Sequence, residues 1–288
     1  MVRPPPFSQH PGTGTVLAII AASAGRAILD VYARVLQVDY KDDRSPVTEA
    51  DRLAEAIIIE QLAQRFTFPT VPVVAEEAVS AGAIPAHEGL LFLVDPLDGT
   101  REFIARRGEF TVNIALVEDH RPVAGVVYAP AFPGNEGWMF FADDNGGAFE
   151  TNIVDPAGRA ILPPRDQWTR IGVRKPPLGG LTAVASRSHL SHETEQYLER
   201  LNVGECTNIG SSLKFCLLAR GDADVYPRLS PTMEWDTAAG DAVLRAAGGC
   251  VVDLDGNPLR YGAAPGEYTN PSFVAWGRAN PPRKSSMN

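Results

Sequence analysis

The stretch Leu91-Phe-Leu-Val-Asp95-Pro96-Leu97-Asp98-Gly99-Thr100-Arg101-Glu102-Phe103 constrains the fold more than any other part of the chain. Leu91 to Val94 reads as a buried strand. Pro96 has no N–H for a central ladder, so the strand is expected to stop at Asp95. Asp95 and Asp98 then put two carboxylates on one turn. Gly99 permits a positive φ or the close approach of a ligand, and Thr100 can cap a short helix from Arg101 to Ala105. A strand end, an acidic turn and a helix start together offer room for a cation and an anion. The chemistry this points to is a metal-assisted phosphate site. A plain Asp-Gly turn between two strands is the alternative, and the second Asp and the Thr after the Gly count against it.

Before this stretch the pattern is helical. The apolar run from Thr15 to Gly25 resembles a secretory signal, but it continues through Ile28, Val31 and Val35 with Arg26, Asp30 and Arg34 interleaved. That pattern predicts an amphipathic helix over 13–37, and no stretch reads as long enough to span a bilayer. Thr48 is an N-cap with Asp51 three residues on, opening a helix to about Arg65. On these grounds Asp51 is first a capping carboxylate and only second an acid facing a site. Val71 to Ala75 predicts a strand that runs into Glu76-Glu77, with a loop over 78–89. Two adjacent strands ending in acid would build one acidic pocket.

After it come two hairpin signatures, Phe110–Val117 with Val123–Tyr128 and Trp138–Phe141 with Ala148–Phe149. Residues 151–180 lack periodicity, and the domain division is placed there, giving residues 13–165 and 166–279. In the second part strands at Leu181–Ala185, Ala223–Tyr226, Cys250–Leu254 and Ser272–Trp276 alternate with helices, an α/β pattern. Ser186-Arg187-Ser188-His189 follows the first of these strands, Gly210-Ser211-Ser212 opens one helix, and Glu234-Trp235-Asp236 precedes another.

Composition excludes some chemistry. A net charge of −9 gives no footprint for duplex nucleic acid. Cys206, Cys216 and Cys250 fit neither a zinc spacing nor a disulfide framework, so free thiols are expected, at least two of them buried. The strand-end acids Glu76, Glu77, Asp95, Asp98 and Asp236 have no histidine or cysteine cluster beside them. Oxygen ligands alone suit Mg²⁺ rather than zinc. Two or more such ions would relieve the mutual repulsion of the acids, clamp a phosphoryl group and acidify a water.

These residues resemble a family. Asp95-Pro-Leu-Asp-Gly-Thr100, the upstream Glu76-Glu77 pair and Trp235-Asp236-x-x-Ala-Gly240 are similar to the motifs of the lithium-sensitive, magnesium-dependent phosphomonoesterases of the inositol monophosphatase superfamily. Ser45-Pro-Val-Thr-Glu-Ala-Asp51, Asp98 to Ile104, Gly108 to Ala115, Gly210 to Phe215 and Asp224 to Leu229 look most like the CysQ-type 3′(2′),5′-bisphosphate nucleotidases within it. The tail Arg101-Glu102-Phe103 follows the nucleotidase style, although Arg101 stands where Lys is common and Ser230 where Gly is common.

The resemblance implies a layered αβαβα sandwich of mixed α+β and α/β character. It implies two or three Mg²⁺ ions held by Glu76, Asp95, the Leu97 carbonyl, Asp98 and Asp236, with Glu77 behind them. Asp51 and Thr100 would activate the attacking water, which raises the second reading of Asp51 above the first. Gly99 and Thr100 would hold the scissile phosphate. Arg101, Ser186, Arg187, Ser211, Ser212, Lys214, Arg228 and Asp236 are candidates for the rest of the substrate, Lys and Arg because they suit a second phosphate. The implied reaction converts 3′-phosphoadenosine 5′-phosphate to AMP and phosphate, extends to the 5′-phosphosulfate analogue, and is linked to sulfate assimilation. Inositol monophosphate or fructose bisphosphate hydrolysis is the alternative within the class, and a catalytically silent metal-dependent nucleotide sensor the alternative outside it. The expected partner is a small nucleotide bisphosphate rather than a nucleic acid polymer. A cytoplasmic location is implied, with peripheral attachment at the inner membrane face and a homodimer both left open.

Overall fold

The computed structural model describes residues 12–34, 38–41, 46–67, 70–132, 134, 137–143, 146–153, 159–187 and 191–280. In chain order its first part contains α1 (Thr13–Tyr32), β1 (Val38–Tyr40), β2 (Pro46–Thr48), α2 (Glu49–Arg65), β3 (Val73–Ala75), α3 (Glu76–Ser80), β4 (Leu91–Asp98), α4 (Thr100–Ile104), β5 (Thr111–Glu118), β6 (Arg121–Ala129), β7 (Trp138–Asp143), β8 (Gly147–Asn152) and β9 (Thr169–Ile171). The second part contains β10 (Leu181–Ser186), α5 (His192–Glu199), β11 (Val203–Ile209), α6 (Leu213–Arg220), β12 (Val225–Arg228), α7 (Glu234–Ala246), β13 (Cys250–Asp253) and β14 (Phe273–Trp276).

Strands β3 to β9 form a seven-stranded sheet in sequence order, antiparallel except for the β3–β4 pair. A five-stranded mixed sheet has the order β11-β10-β12-β14-β13. Successive side chains of a strand face opposite ways. Accordingly Phe92, Val94, Ile114 and Leu116 join the core under α1 and α2, while Leu91, Leu93, Ala115 and Val117 join the core that also holds residues of α6 and α7. A third core packs the five-stranded sheet against α5 through Val225, Trp276, Tyr197 and Leu198. The layers are therefore helix, sheet, helix, sheet, helix, and burial on both faces explains why β4 and β5 are continuous apolar runs.

Helix α7 approaches the large sheet closely at Gly125 of β6. A Cβ there would lie 2.8 Å from Ala242 Cβ and 2.9 Å from the Ala239 carbonyl oxygen. The run of small residues on α7 makes that approach possible and fixes the start of α7 against β4 to β6.

Several expectations change. β4 continues through Pro96 to Asp98 as an inner strand rather than ending at Asp95. The register explains it: Asp95 pairs with Asn113 and Asp98 with Thr111, so one extra residue bulges on β4, and β3 pairs only as far as Val94. Glu76 and Glu77 form the first turn of α3 instead of a strand end, which also shortens the predicted loop. Strands β9 and β11 carry no apolar run that marks them, and β9 keeps the first sheet going to Ile171, past residue 165. Helix α1 ends at Tyr32. At 20 residues it is long and apolar enough to cross a membrane by length and composition, correcting the expectation on length, and 56% of its apolar window is buried in the protein. Of the three free cysteines, Cys216 is buried, Cys250 half-buried and Cys206 exposed, so one rather than two is fully inside.

Candidate active site

The site is assembled from helix starts and one strand end. Asp51 is the third residue of α2. Its Oδ2 accepts from the Thr48 N–H at 2.7 Å and from the Thr48 hydroxyl at 2.7 Å, while Thr48 caps Ala50 N–H at 3.2 Å. This is the predicted capping box. The other oxygen, Oδ1, accepts from the Thr100 hydroxyl at 3.3 Å, and that hydroxyl also reaches the Leu97 carbonyl at 3.3 Å. Capping and pairing with Thr100 thus use different oxygens of the same carboxylate. Burial raises the Asp51 pKa, against the Thr48 hydrogen bonds that lower it, and so makes it a better proton acceptor.

The remaining acids are held in the same manner. Asp95 Oδ1 accepts from Leu97 N–H at 3.0 Å. Asp98 Oδ2 accepts from the Ser212 hydroxyl at 2.9 Å. Asp236, third in α7, has Oδ2 on Met233 N–H at 2.8 Å. Glu76 Oε1 accepts from Lys41 Nζ at 2.6 Å, and the same ammonium meets Glu77 at 2.7 Å. Glu55, one turn after Asp51 on α2, accepts the Glu77 N–H at 2.8 Å and so fastens the start of α3. Burial, then the neighbouring acids, pushes Glu55 up to about 7 against those amide bonds.

Glu76, Asp95, Asp98 and Asp236 all have raised pKa values, with burial the main cause. Asp95 is also raised by Glu76, Asp98, Asp236 and Asp51, so these carboxylates share one field. Lys214 and Ser212 pull Asp98 the other way. On each of the four, the second oxygen has no protein donor among the described residues. Lys41 stands in for a cation: burial opposes its charge, yet Glu76 and Glu77 hold its pKa above the ordinary lysine range. In this side-chain arrangement no three acidic, histidine or cysteine groups among the described residues are already drawn together as a metal cage. The donor set is all oxygen and carries excess negative charge, which fits a hard divalent cation.

Beside these acids lies a cleft of about 210 Å³. Glu76, Asp98, Gly99, Thr100, Arg101, Ser186, Ser211, Ser212, Lys214, Arg228 and Asp236 line it, whereas Asp51, Asp95, Leu97 and Arg187 are not part of its wall. Gly99 has φ 92°, and a Cβ there would lie 3.0 Å from the Glu109 carbonyl oxygen, so this turn needs glycine. Arg187 is committed elsewhere: it forms a two-pronged pair with Glu109 at 3.0 and 2.9 Å, and Glu109 also accepts Gly210 N–H at 2.7 Å. Ser188 and His189 lie outside the described residues.

Lys214 is 4% exposed, donates to the Ser211 carbonyl and lies 5.3 Å over the Tyr226 ring. Burial lowers its pKa to about 8, although Asp98 works to raise it. Arg228 is buried and donates to the Ser230 and Pro231 carbonyls at 3.3 and 3.1 Å. Asp224, four residues before it, pairs with Arg174 at 3.0 and 2.8 Å rather than with Arg228. Ser211 has φ 47°, a strained value for a non-glycine, and its buried hydroxyl has no hydrogen-bond partner among the described residues.

Sequence reasoning missed Lys41, Glu55 and Asn113. Glu55 follows Asp51 at the spacing of one helical turn, which was a usable signal. Asn113 is a polar residue inside the apolar run of β5, which was another. Nothing in the local sequence marks Lys41.

The inositol monophosphatase family profile matches residues 13–280. The 3′(2′),5′-bisphosphate nucleotidase CysQ of Salmonella typhimurium is 45% identical over 259 residues, covering 88% of this chain and 95% of the relative. Its namesake from Escherichia coli strain K12 is 44% identical over 257 residues, with the same coverage of 88% and 95%. The crystal structure of CysQ from Bacteroides thetaiotaomicron, described as a bacterial member of the inositol monophosphatase family, superposes with a TM-score of 0.76 at 37% identity, covering 95% of this chain and 99% of that one. With this fold, these acids and these relatives, the chain belongs to the inositol monophosphatase family.

Proposed function

We propose that this protein is a magnesium-dependent 3′(2′),5′-bisphosphate nucleotidase that removes the 3′-phosphate of 3′-phosphoadenosine 5′-phosphate, giving AMP and phosphate. The 5′-phosphosulfate analogue is a second substrate in this reading. One observation carries it: a single cleft divides its charged lining between the half-buried acids Glu76, Asp98 and Asp236 and the buried cations Lys214 and Arg228. A substrate with one phosphate to cleave and one to hold suits that division. An inositol monophosphate has no second phosphate to meet Lys214 and Arg228.

The roles follow from the bonds. Thr100 orients the attacking water and Asp51, whose Oδ1 meets the Thr100 hydroxyl, takes its proton. The N–H groups of Gly99 and Thr100 hold oxygens of the scissile phosphate. Glu76, Asp95, the Leu97 carbonyl, Asp98 and Asp236 hold two or three Mg²⁺ ions. When bound, Mg²⁺ supplies Lewis acidity at the phosphoryl group and lowers the pKa of water. Lys214 and Arg228 face the second phosphate, while Ser186, Ser211 and Arg101 flank the cleft. Arg187 serves the joint between the two sheets rather than the substrate. A division of the chain near the end of β9, a cytoplasmic location and freedom to act as monomer or dimer complete the proposal.

The test is phosphate release under Mg²⁺ from adenosine 3′,5′-bisphosphate and from inositol 1-phosphate, compared by kcat/KM. A preference for the adenosine compound is expected, and a preference for inositol phosphate rejects the nucleotidase reading. Asp98→Asn is expected to abolish release. Wild type that binds the nucleotide but releases nothing supports a sensor instead.

A further inference from the structure

Asn113 lies on β5 opposite Asp95, with no exposed surface. Its Nδ2 donates to the Ser212 hydroxyl oxygen at 3.0 Å and reaches Asp98 Oδ2 at 3.4 Å. The Ser212 hydroxyl lies 2.9 Å from Asp98 Oδ2 and 2.6 Å from the Asp236 carbonyl. One amide and one hydroxyl therefore join β4, β5, the start of α6 and the start of α7. The amide must point this way, because its oxygen would be repelled by the carboxylate. That leaves Asn113 Oδ1 buried with no partner among the described residues. A buried polar atom with an unmade hydrogen bond is destabilising. A side chain kept only for stability would not be expected to leave one.

We propose that Asn113 is a positioning residue for the cation site: with Ser212 it fixes one oxygen of Asp98, leaves the other for a cation, and ties Asp98 to the helix that carries Asp236. Ser212, expected to touch substrate, acts here as the middle of this bridge. The inference rests on the reading of Asp98 and Asp236 as cation ligands. Hydrogen-bond partners behind metal ligands commonly set affinity by 10- to 100-fold.

The test uses the full chain. Mg²⁺ affinity is measured by calorimetry, and stability of the metal-free protein by urea unfolding, for wild type, Asn113→Ala, Ser212→Ala and the double variant. Asn113→Ala is expected to weaken Mg²⁺ binding by about 10-fold or more while its urea midpoint changes little, because losing the bond to Ser212 and removing the orphan carbonyl offset each other. The double variant is expected to lose no more affinity than the worse single one, since both act through one bridge. Affinity within twofold of wild type, or affinity lost together with a lowered midpoint, overturns the proposal in favour of packing alone. Asn113→Thr, which keeps a strand-favouring shape, replaces Ala if Ala fails to fold and carries the same two expectations. Wild type that binds no Mg²⁺ overturns the cation site itself, an outcome distinct from a silent Asn113 variant.

Discussion

Replacing Glu234 by Gln should change how the stability of the metal-free protein depends on pH. Glu234 opens α7, is 5% exposed, and accepts Gly262 N–H at 2.6 Å through Oε2. Burial raises its pKa from 4.5 to about 7, and the Gly262 bond only partly opposes this. The folded pKa is above the unfolded one, so the fold prefers the protonated acid. Its contribution is fully present below about pH 4.5 and is lost as the pH rises through about 7. A shift of that size is worth roughly 3 kcal/mol. Gln keeps the carbonyl that accepts from Gly262 and never ionises. Glu234→Gln should therefore come within about 1 kcal/mol of wild type at pH 5 and exceed it by up to about 3 kcal/mol at pH 8.5, roughly 5–10 °C in Tm. Urea unfolding in EDTA at half-unit steps of pH measures this. The other buried acids titrate in both proteins and cancel in the difference. Parallel stability profiles for the two proteins across the whole range would refute the reasoning.

Three further outcomes are expected. Gly125→Ala places a methyl within 3.1 Å of Ala239 Cα as well as against its carbonyl and Ala242, so α7 must retreat; urea unfolding should show a loss of about 1–3 kcal/mol, and the Mg²⁺ requirement should rise as Asp236 moves. Lys214, with its pKa lowered to about 8, should lose its charge as the pH rises through that value; KM for the bisphosphate should climb there, and the climb should be absent in Lys214→Met. Mg²⁺ should raise Tm more at pH 8 than at pH 5.5, because Asp95, Asp98, Asp236 and Glu76 have raised pKa values and a cation binds them only once their protons are lost; an equal rise at both pH values counts against a carboxylate site.

The legible parts of this chain were those where one local pattern decides. The capping box of Thr48 and Asp51, the apolar runs of β4 to β6 and the glycine of positive φ at residue 99 each rest on a few neighbouring residues. The illegible parts depend on remote contacts. Pro96 reads as a strand terminator, but a bulge and the short reach of β3 remove its penalty, and neither is written near it. β11 has an exposed polar sequence and is a strand only because β10 offers it a parallel edge. Arg187 looked like a phosphate ligand until Glu109, far earlier in the chain, claimed it. Lys41 likewise meets Glu76 and Glu77 from a separate element, 35 residues away in sequence in the case of Glu76.

The competition between a structural and a catalytic role for Asp51 dissolves in the geometry. A carboxylate at the third position of a helix gives one oxygen to the N–H before the helix and keeps the other. Asp51 does this on α2 and Asp236 does it on α7, each bound to the N–H three residues earlier. The positive end of the helix dipole also offsets part of the charge that burial makes costly. The two helices pack on opposite faces of the large sheet, and β4 brings Asp95 and Asp98 between them. A short rigid mount on each face, with a bulged strand in the middle, delivers acids from three layers to one place without a long loop. Capping is then the means by which such a site is aimed, so a capping acid followed by a buried helix is a reason to look for chemistry rather than a reason to dismiss it.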